Sequence, residues 1–476
     1  MKMRRAWLAA AFVVCIGLAV PASAHDPAPS PTVEWVDPES AAAQGSALNM
    51  AAVGHDDLGG RGFNADVWVH EQYAYVGSWG FSDWASGSKQ RFCPNDGVAV
   101  VDTRDPAQPR RVATLTSPPG TSAEDVVVVT ARYGPLAGRD IAVVGIQVCG
   151  GDRSDTSIFR GLQVFDVSNP ARPAEVGLLD TGCCTRGLHE LEVQHRTDLE
   201  RTFVYASVPT SEYSDPGSPS GRRDRMGRGD FRLIDVTNPN LPFEVSNWGV
   251  HHDLGGPPAP GLGCDPDAEY GHSAEPSADG RLAFVSYWDS GFIALDVTDP
   301  AAPTMKGRTT YPASADGDAH SSNYDEDRRL LFSADEDFCK TSGSGTEKGF
   351  GYLRVWDYSN LAAPRQIATF KTPNASGSKD LKAGDYTIHN PLIVGDTLYI
   401  SWYTDGIRVV DARDPRRLRE VAHFVPPAVN NPIQPSQRGV LTNTTQVWGV
   451  AYDESRDLVY ASDMNSGLWI LRRTDR

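Results

Sequence analysis

Several absences narrow the field before any motif is read. The chain has no GxSxG elbow, no GxxxxGK[ST] loop, no HExxH pair and no Rossmann glycine fingerprint in a βαβ setting. The common serine-hydrolase, nucleotide-phosphate, zincin and dinucleotide signatures are therefore missing. No CxxC pair is present, which removes the usual cysteine zinc cage. After the first 24 residues no apolar run approaches the roughly 18 residues that a membrane-spanning helix needs. Positive charge is scarce: 44 Lys+Arg against 61 Asp+Glu leaves −17. That balance excludes a nucleic-acid binder working through phosphate neutralisation. What remains is a chain of 476 residues, 40% hydrophobic, with 45 Gly and 34 Pro. Such a chain favours many turns over long helices.

The first residues read as a processing signal. Basic Lys2, Arg4 and Arg5 precede an apolar run over 6–20, and Ala22-Ser23-Ala24 offers the small residues of a cleavage site. The expectation is a signal peptide over 1–24, a Pro/Ala-rich tail over 25–48, and a mature protein beginning at His25, secreted or held in the cell envelope. Removing Cys15 leaves Cys93, Cys149, Cys183, Cys184, Cys264 and Cys339, an even set that suits disulfides in an oxidising compartment.

Self-comparison organises the rest. Six segments share an apolar strand ending in Asp and then a proline turn: GVAVVDTRDPAQP (97–109), GLQVFDVSNPARP (161–173), DFRLIDVTNPNLP (230–242), GFIALDVTDPAAP (291–303), YLRVWDYSNLAAP (352–364) and GIRVVDARDPRRL (406–418). A seventh, GLWILRRTDR (467–476), lacks the Asp. Asp102, Asp166, Asp235, Asp296, Asp357 and Asp411 read as turn residues that accept backbone N–H bonds, not as catalytic groups. Each unit of about sixty residues resolves into four short strands, a period that signals a radial repeat. The last unit stops after its third strand, and NMAAVG (49–54) is placed to supply the fourth. The fold expected is all-β: a seven-bladed β-propeller over 49–476, closed by an N-terminal strand that completes the last blade.

The strand consensus of GVAVVD, GFIALD and GIRVVD, followed by D-x-[ST]-[DN]-P-x-x-P, resembles the LVIVD repeat of secreted prokaryotic proteins. The resemblance implies a β-propeller and an exported or cell-surface location. It brings no established activity.

Two functional readings follow. In the first, the protein is an exported scaffold that binds a protein or polysaccharide through its long-loop face. The loops are 78–96, 209–230, 251–271, 336–351 and 426–446, and they carry Trp79, Phe81, Trp84, Tyr213 and Tyr270. Cys93 and Cys149 occupy the same loop of adjacent blades, as Cys264 and Cys339 do across blades four and five. A monomer is expected, with no nucleic-acid partner and no transmembrane segment after signal removal. In the second, the protein is a metal-dependent oxidoreductase or hydrolase. At the start of the first strand the seven units place Asn64, Glu124, His189, His272, His320, His389 and Trp448. First strands line a propeller's channel, so four consecutive blades would bring imidazoles toward one axis. Imidazole suits copper, zinc or iron, and Glu124 or Glu190 would complete the site or orient a ligand. The alternative is that these histidines bond backbone groups between blades.

Overall fold

The computed structural model describes residues 34–35, 45–82, 91–93, 96–149, 155–182, 185–209, 228–256, 269–312, 315, 317–338, 350–376, 384–430 and 444–476. Among these the architecture is all-β, with one short helix at Val250–Asp253. No helix among them is long and apolar enough to cross a membrane.

The strands form antiparallel modules of four, each named here by its first residue. The Asn64 module (Asn64–His70, Tyr73–Ser78, Val98–Asp102, Arg110–Leu115) meets the Thr121 module (Thr121–Thr130, Asp140–Val148, Gly161–Asp166, Ala174–Asp180) through the pair Ala123–Ser78. Next come the Leu191 module (Leu191–Arg196, Arg201–Ser207, Phe231–Asp235, Phe243–Trp248) and the Gly271 module (Gly271–Pro276, Leu282–Tyr287, Gly291–Asp296, Thr304–Arg308). The Ala319 module follows (Ala319–Asp325, Leu330–Asp335, Leu353–Asp357, Arg365–Phe370), then the Pro391 module (Pro391–Val394, Thr397–Ser401, Ile407–Asp411, Arg419–Val425). The Val447 module (Val447–Asp453, Leu458–Asp463, Gly467–Arg473) takes its fourth strand, Met50–Asp56, from the other end of the chain. Just before it, Ser46–Leu48 pairs with the outer strand Arg419–Val425.

The repeated proline turn has one local cause. In all six copies the strand-ending Asp accepts the backbone N–H two residues on: Arg104, Ser168, Thr237, Thr298, Ser359 and Arg413 donate at 2.8–3.1 Å. A second side-chain turn follows where Asp105, Asn238, Asp299, Asn360 or Asp414 accepts in the same way. Short side chains that bond their own backbone stop the strand and reverse the chain. A register shift recurs in the pairing of each of these third strands with its fourth, at Val100/Val101, Val164/Phe165, Leu233/Ile234, Ala294/Leu295, Val355/Trp356 and Val409/Val410.

The core lies between modules rather than within them. Phe332 and Leu330 pack on Leu398 and Ile400, joining the Ala319 and Pro391 modules. Val164 and Ile141 pack on Val204 and Ile234, and Tyr205 and Leu233 on Val285 and Leu295. The Val447 and Asn64 modules share Tyr460, Leu468 and Ile470 with Val76, Ala99 and Val101. Each such side chain contributes about 1.5–3 kcal/mol by burial. Two glycines allow the close approach: a Cβ at Gly54 would collide with the Pro106 carbonyl, and one at Gly177 with that of Pro239. Toward the inner edge, hydroxyls tie one first strand to the next. Ser273 Oγ donates to His320 O at 2.8 Å and Ser321 Oγ to His389 O at 2.7 Å.

Two expectations follow. Deleting residues 45–56 exposes the paired edges of Gly467–Arg473 and Arg419–Val425, so the truncated protein should melt at lower temperature and aggregate. Light scattering during a thermal scan checks this, and an unchanged melting profile rejects it. The second concerns acid. The carboxyl of Asp102 is held down to about 2 by Arg104, and that of Asp357 to about 2 by Ser359. At Asp296 burial pushes upward, but the bonds from Thr298 and Lys306 outweigh it, again to about 2. Depressed native values contribute stability that is complete above the unfolded value of 3.8 and lost as pH falls toward 2. Calorimetry should show this loss, and replacing all three by Asn should flatten it.

Candidate metal centre

The four histidines converge. His189 precedes the strand Leu191–Arg196, and its N–H bonds Ser207 O at 2.9 Å, so the backbone already runs with the sheet. His272 and His320 stand at the starts of the next two first strands, and His389 lies just before the strand Pro391–Val394. Imidazole centroids are 4.2 Å apart for His189–His272, 3.9 Å for His272–His320 and 4.4 Å for His320–His389. None of the four is more than 6% exposed. Trp448, next in the column, packs on His389 at 4.5 Å. Asn64 does not join them: its amide is turned to the carbonyl of Asp463.

Carboxylates surround the imidazoles. Glu124 Oε2 lies 2.7 Å from His189 Nδ1, and Gln147 donates to the same oxygen. Glu190 Oε1 is 3.5 Å from His272 Nδ1 and 4.0 Å from His320 Nε2. Glu336 reaches both His320 Nε2, at 3.6 Å, and His389 Nε2, at 3.9 Å, and accepts a hydrogen bond from the Tyr403 hydroxyl. Three overlapping donor sets result: His189, Glu190 and His272; Glu190, His320 and His389; and His272, His320 and Glu336.

Desolvation governs the charges. Burial holds all four imidazoles below their ordinary range, His389 to about 3, so they are neutral and have a free nitrogen lone pair. At His272, His320 and His389 the backbone of the next strand opposes that shift without a well-aligned hydrogen bond. Burial pushes Glu124 up to about 7 against the pull of Arg186, and Glu336 up to about 8 against the Tyr403 bond. Glu190 is also raised, by burial and by Asp66, Asp125, Glu124 and Glu336 around it. Several polar atoms are left without hydrogen bonds, including both nitrogens of His389, Nδ1 of His272 and His320, and Oε1 of Glu190. A cation reverses this cost, because it favours ionised carboxylates and neutral imidazoles together.

Geometry also fits a metal. His189 Nε2 and His272 Nε2 face each other at 2.8 Å while their Nδ1 atoms turn to Glu124 and Glu190. Two nitrogens bound to one ion at about 2.0–2.1 Å stand roughly 2.9–3.4 Å apart, so little movement separates this contact from a ligand pair. The carboxylate behind each Nδ1 is the usual device that fixes imidazole orientation at a metal.

A second column of the repeat completes the walls. Six residues beyond the second-strand position that pairs with the repeat Asp stand Trp79, Gln147, Pro209, Trp288, Glu336 and Tyr403. Met464 holds the equivalent place in the Val447 module. Trp288 and Tyr403 have positive φ, +20° and +32°, in the region that favours glycine. Strain of this kind costs on the order of 1–3 kcal/mol per residue and gathers at functional sites. Here it sets the Trp288 ring 5.5 Å from His272 and the Tyr403 ring 5.2 Å from His389. The first-strand histidine column did not point to Glu336, Gln147 or Tyr403. Aligning the ends of the second strands in the same way would have found them.

The other expected residues divide. Cys93 and Cys149 form a disulfide, with Cα atoms 5.3 Å apart, between the Asn64 and Thr121 modules. Cys183, Cys184, Cys264 and Cys339 lie outside the described residues, as do Trp84, Tyr213 and most of the long loops. Tyr270 stacks on Trp288 at 4.8 Å beside the histidines, and Trp79 packs on Trp448 at 5.4 Å.

Comparison with known proteins agrees with the repeat. The LVIVD repeat model matches residues 61–81, 158–181 and 271–310. Three stretches of the chain thus carry LVIVD repeats. No curated protein matches it in sequence. Among solved structures, Raptor from Chaetomium thermophilum superposes with a TM-score of 0.50 at 11% identity, over 89% of this chain and 29% of that one. The periplasmic gluconolactonase PpgL of Pseudomonas aeruginosa does so with 0.50 at 12% identity, over 79% of this chain and 88% of that one. This chain therefore spans less than a third of Raptor's length, and both likenesses concern the fold alone, which is β-propeller-like.

Tyr403→Phe should leave Glu336 buried with one donor fewer and destabilise the metal-free protein by about 1–3 kcal/mol. Urea unfolding measures this, and a midpoint equal to that of the wild type refutes the role given to the hydroxyl.

Proposed function

We propose that this chain, which carries LVIVD repeats, is an exported, closed seven-bladed β-propeller over 49–476 whose channel holds a transition-metal ion on His189, His272, His320 and His389. The ion is its working centre, and the protein is a metal-dependent enzyme. Closure is supported by the pairing of Met50–Asp56 with Gly467–Arg473 and by the apolar cluster shared between the Val447 and Asn64 modules. Export is supported by the Cys93–Cys149 disulfide and by the signal-like residues 1–24.

One observation carries the metal reading: four buried, neutral imidazoles from consecutive modules meet at centroid spacings of 3.9–4.4 Å, with carboxylates on their flanks. Packing alone has no use for so many unsatisfied polar atoms in one place. Imidazole donors suit copper, zinc, iron or nickel, and the glutamates then orient ligands or accept protons beside the ion. Neutral ligands leave the ion its full charge, which equips it to polarise a substrate oxygen or exchange electrons. A scaffold role on the long-loop face rests on the repeat fold itself and is compatible with this centre.

Elemental analysis of protein exported by its native host tests the reading. About one equivalent of copper, zinc, iron or nickel per chain is expected. The variant His272→Ala/His320→Ala should lose it while keeping a cooperative thermal transition. Metal-free native protein, or a double variant that retains the metal, would sink the proposal.

A further inference from the structure

The segment that enters the Leu191 module is held more firmly than a simple connection needs. Gly187 pairs with Gln147 in an isolated antiparallel bridge, Val148 N–H donates to Arg186 O at 2.8 Å, and Leu188 N–H donates to Ile146 O at 3.2 Å. Gly187 has φ +107°, and a Cβ there would meet the Ile146 carbonyl at 2.4 Å. The buried guanidinium of Arg160 donates to Thr185 O at 2.8 Å from the same segment. The Arg186 backbone is thereby fixed one residue from the Gln147 bridge. The Gln147 amide itself bonds Glu124 and lies 2.9 Å from His189 Nδ1. Arg186 is half-buried, and its charge restrains the rise of Glu124 and Glu336 and deepens the fall of His189 and His272. Those four groups come from four consecutive modules, so the guanidinium lies toward their common edge and not out over one of them.

Aromatic rings gather at the same imidazole. Trp288 lies 5.5 Å from His272, and the half-buried Tyr270 stacks on Trp288 at 4.8 Å and stands 6.3 Å from His272. Trp288 is 6% exposed, and its buried Nε1 makes no hydrogen bond. Arg186 and Tyr270 precede first strands and Trp288 follows a second strand, so antiparallel pairing puts all three at one edge of the sheets. Small-molecule sites combine apolar walls with a few fixed polar groups in this way. A guanidinium matches a planar carboxylate through two parallel hydrogen bonds, and aromatic side chains match a flat ring. One guanidinium amid Glu124, Glu190 and Glu336 suits a singly charged carboxylate and not a doubly charged phosphate. An ion on neutral imidazoles adds positive charge beside that of Arg186.

We infer that the centre acts on an aromatic carboxylate, whose carboxylate pairs with Arg186 and whose ring lies against Tyr270 and Trp288, with its reacting end toward His272. This names the substrate class of the metal site proposed above and rests on that reading for the reacting end. Recognition by Arg186 and Tyr270 does not need the ion.

Calorimetric titration of the protein isolated from its exporting host, with benzoate, benzyl alcohol and acetate as separate probes, tests this. Benzyl alcohol keeps the ring without the charge, and acetate keeps the charge without the ring. Benzoate should bind at least tenfold more tightly than either. Arg186→Gln should erase the preference over benzyl alcohol with metal content unchanged, and Arg186→Lys should restore part of it. Tyr270→Leu should erase the preference over acetate, which keeps the test open if the Arg186 variants misfold. A wild type that does not prefer benzoate overturns the inference, as does a preference untouched by Arg186→Gln and Tyr270→Leu. Equal weakening of all three probes in Arg186→Gln also overturns it, because that is the result if Arg186 only holds Glu124 in place. Metal-bearing protein without the preference removes this inference alone, and metal-free protein that keeps it removes the metal reading alone.

Discussion

A four-stranded sheet with no helix to cover it can bury its faces only against another sheet. Among the described residues the apolar clusters accordingly bridge modules: Phe332 to Ile400, Val204 to Val164, Tyr460 to Val101. Side-by-side packing of this kind draws the first strands together, where Ser273 and Ser321 pin them through neighbouring carbonyls. Repetition then turns distance along the chain into contact. His189 and His272 lie 83 residues apart and meet at 2.8 Å because each holds the same place in its module.

The same geometry sets the electrostatics. Aspartates in the repeat turns and acids on the inner strands are chemically alike, yet they move in opposite directions. Asp102 accepts hydrogen bonds from the Arg104 guanidinium and is held to about 2. Asp125, on an inner strand, is driven up to about 7 by burial. Desolvation at the inner strands therefore does two things at once. It strips imidazoles of their protons, which makes them ligands, and it makes carboxylates costly unless a cation is near.

Much of this could be read from the residues. The D-x-[ST]-[DN]-P turns, the strands before them and the histidine column all repeat at a fixed place, and each depends on local chemistry or on register within one strand. Glu336, Tyr403 and Gln147 escaped because they share no residue type. They share only a position, six residues beyond the second-strand residue that pairs with the repeat Asp. The pairing of Cys93 with Cys149 was open for a similar reason: equal spacing in two loops does not say which way the loops lean.

The sequence by itself determined the repeat, its turns, its strand ends and the alignment of four histidines, because these rest on short-range hydrogen bonds and on the two-residue period of a strand. Only the tertiary structure decided that those histidines point at one another and that three glutamates stand behind them. Side-chain direction at an inner strand depends on the twist between sheets and on how closely neighbours pack. Those are properties of all the modules acting on one another, and no single stretch of residues contains them.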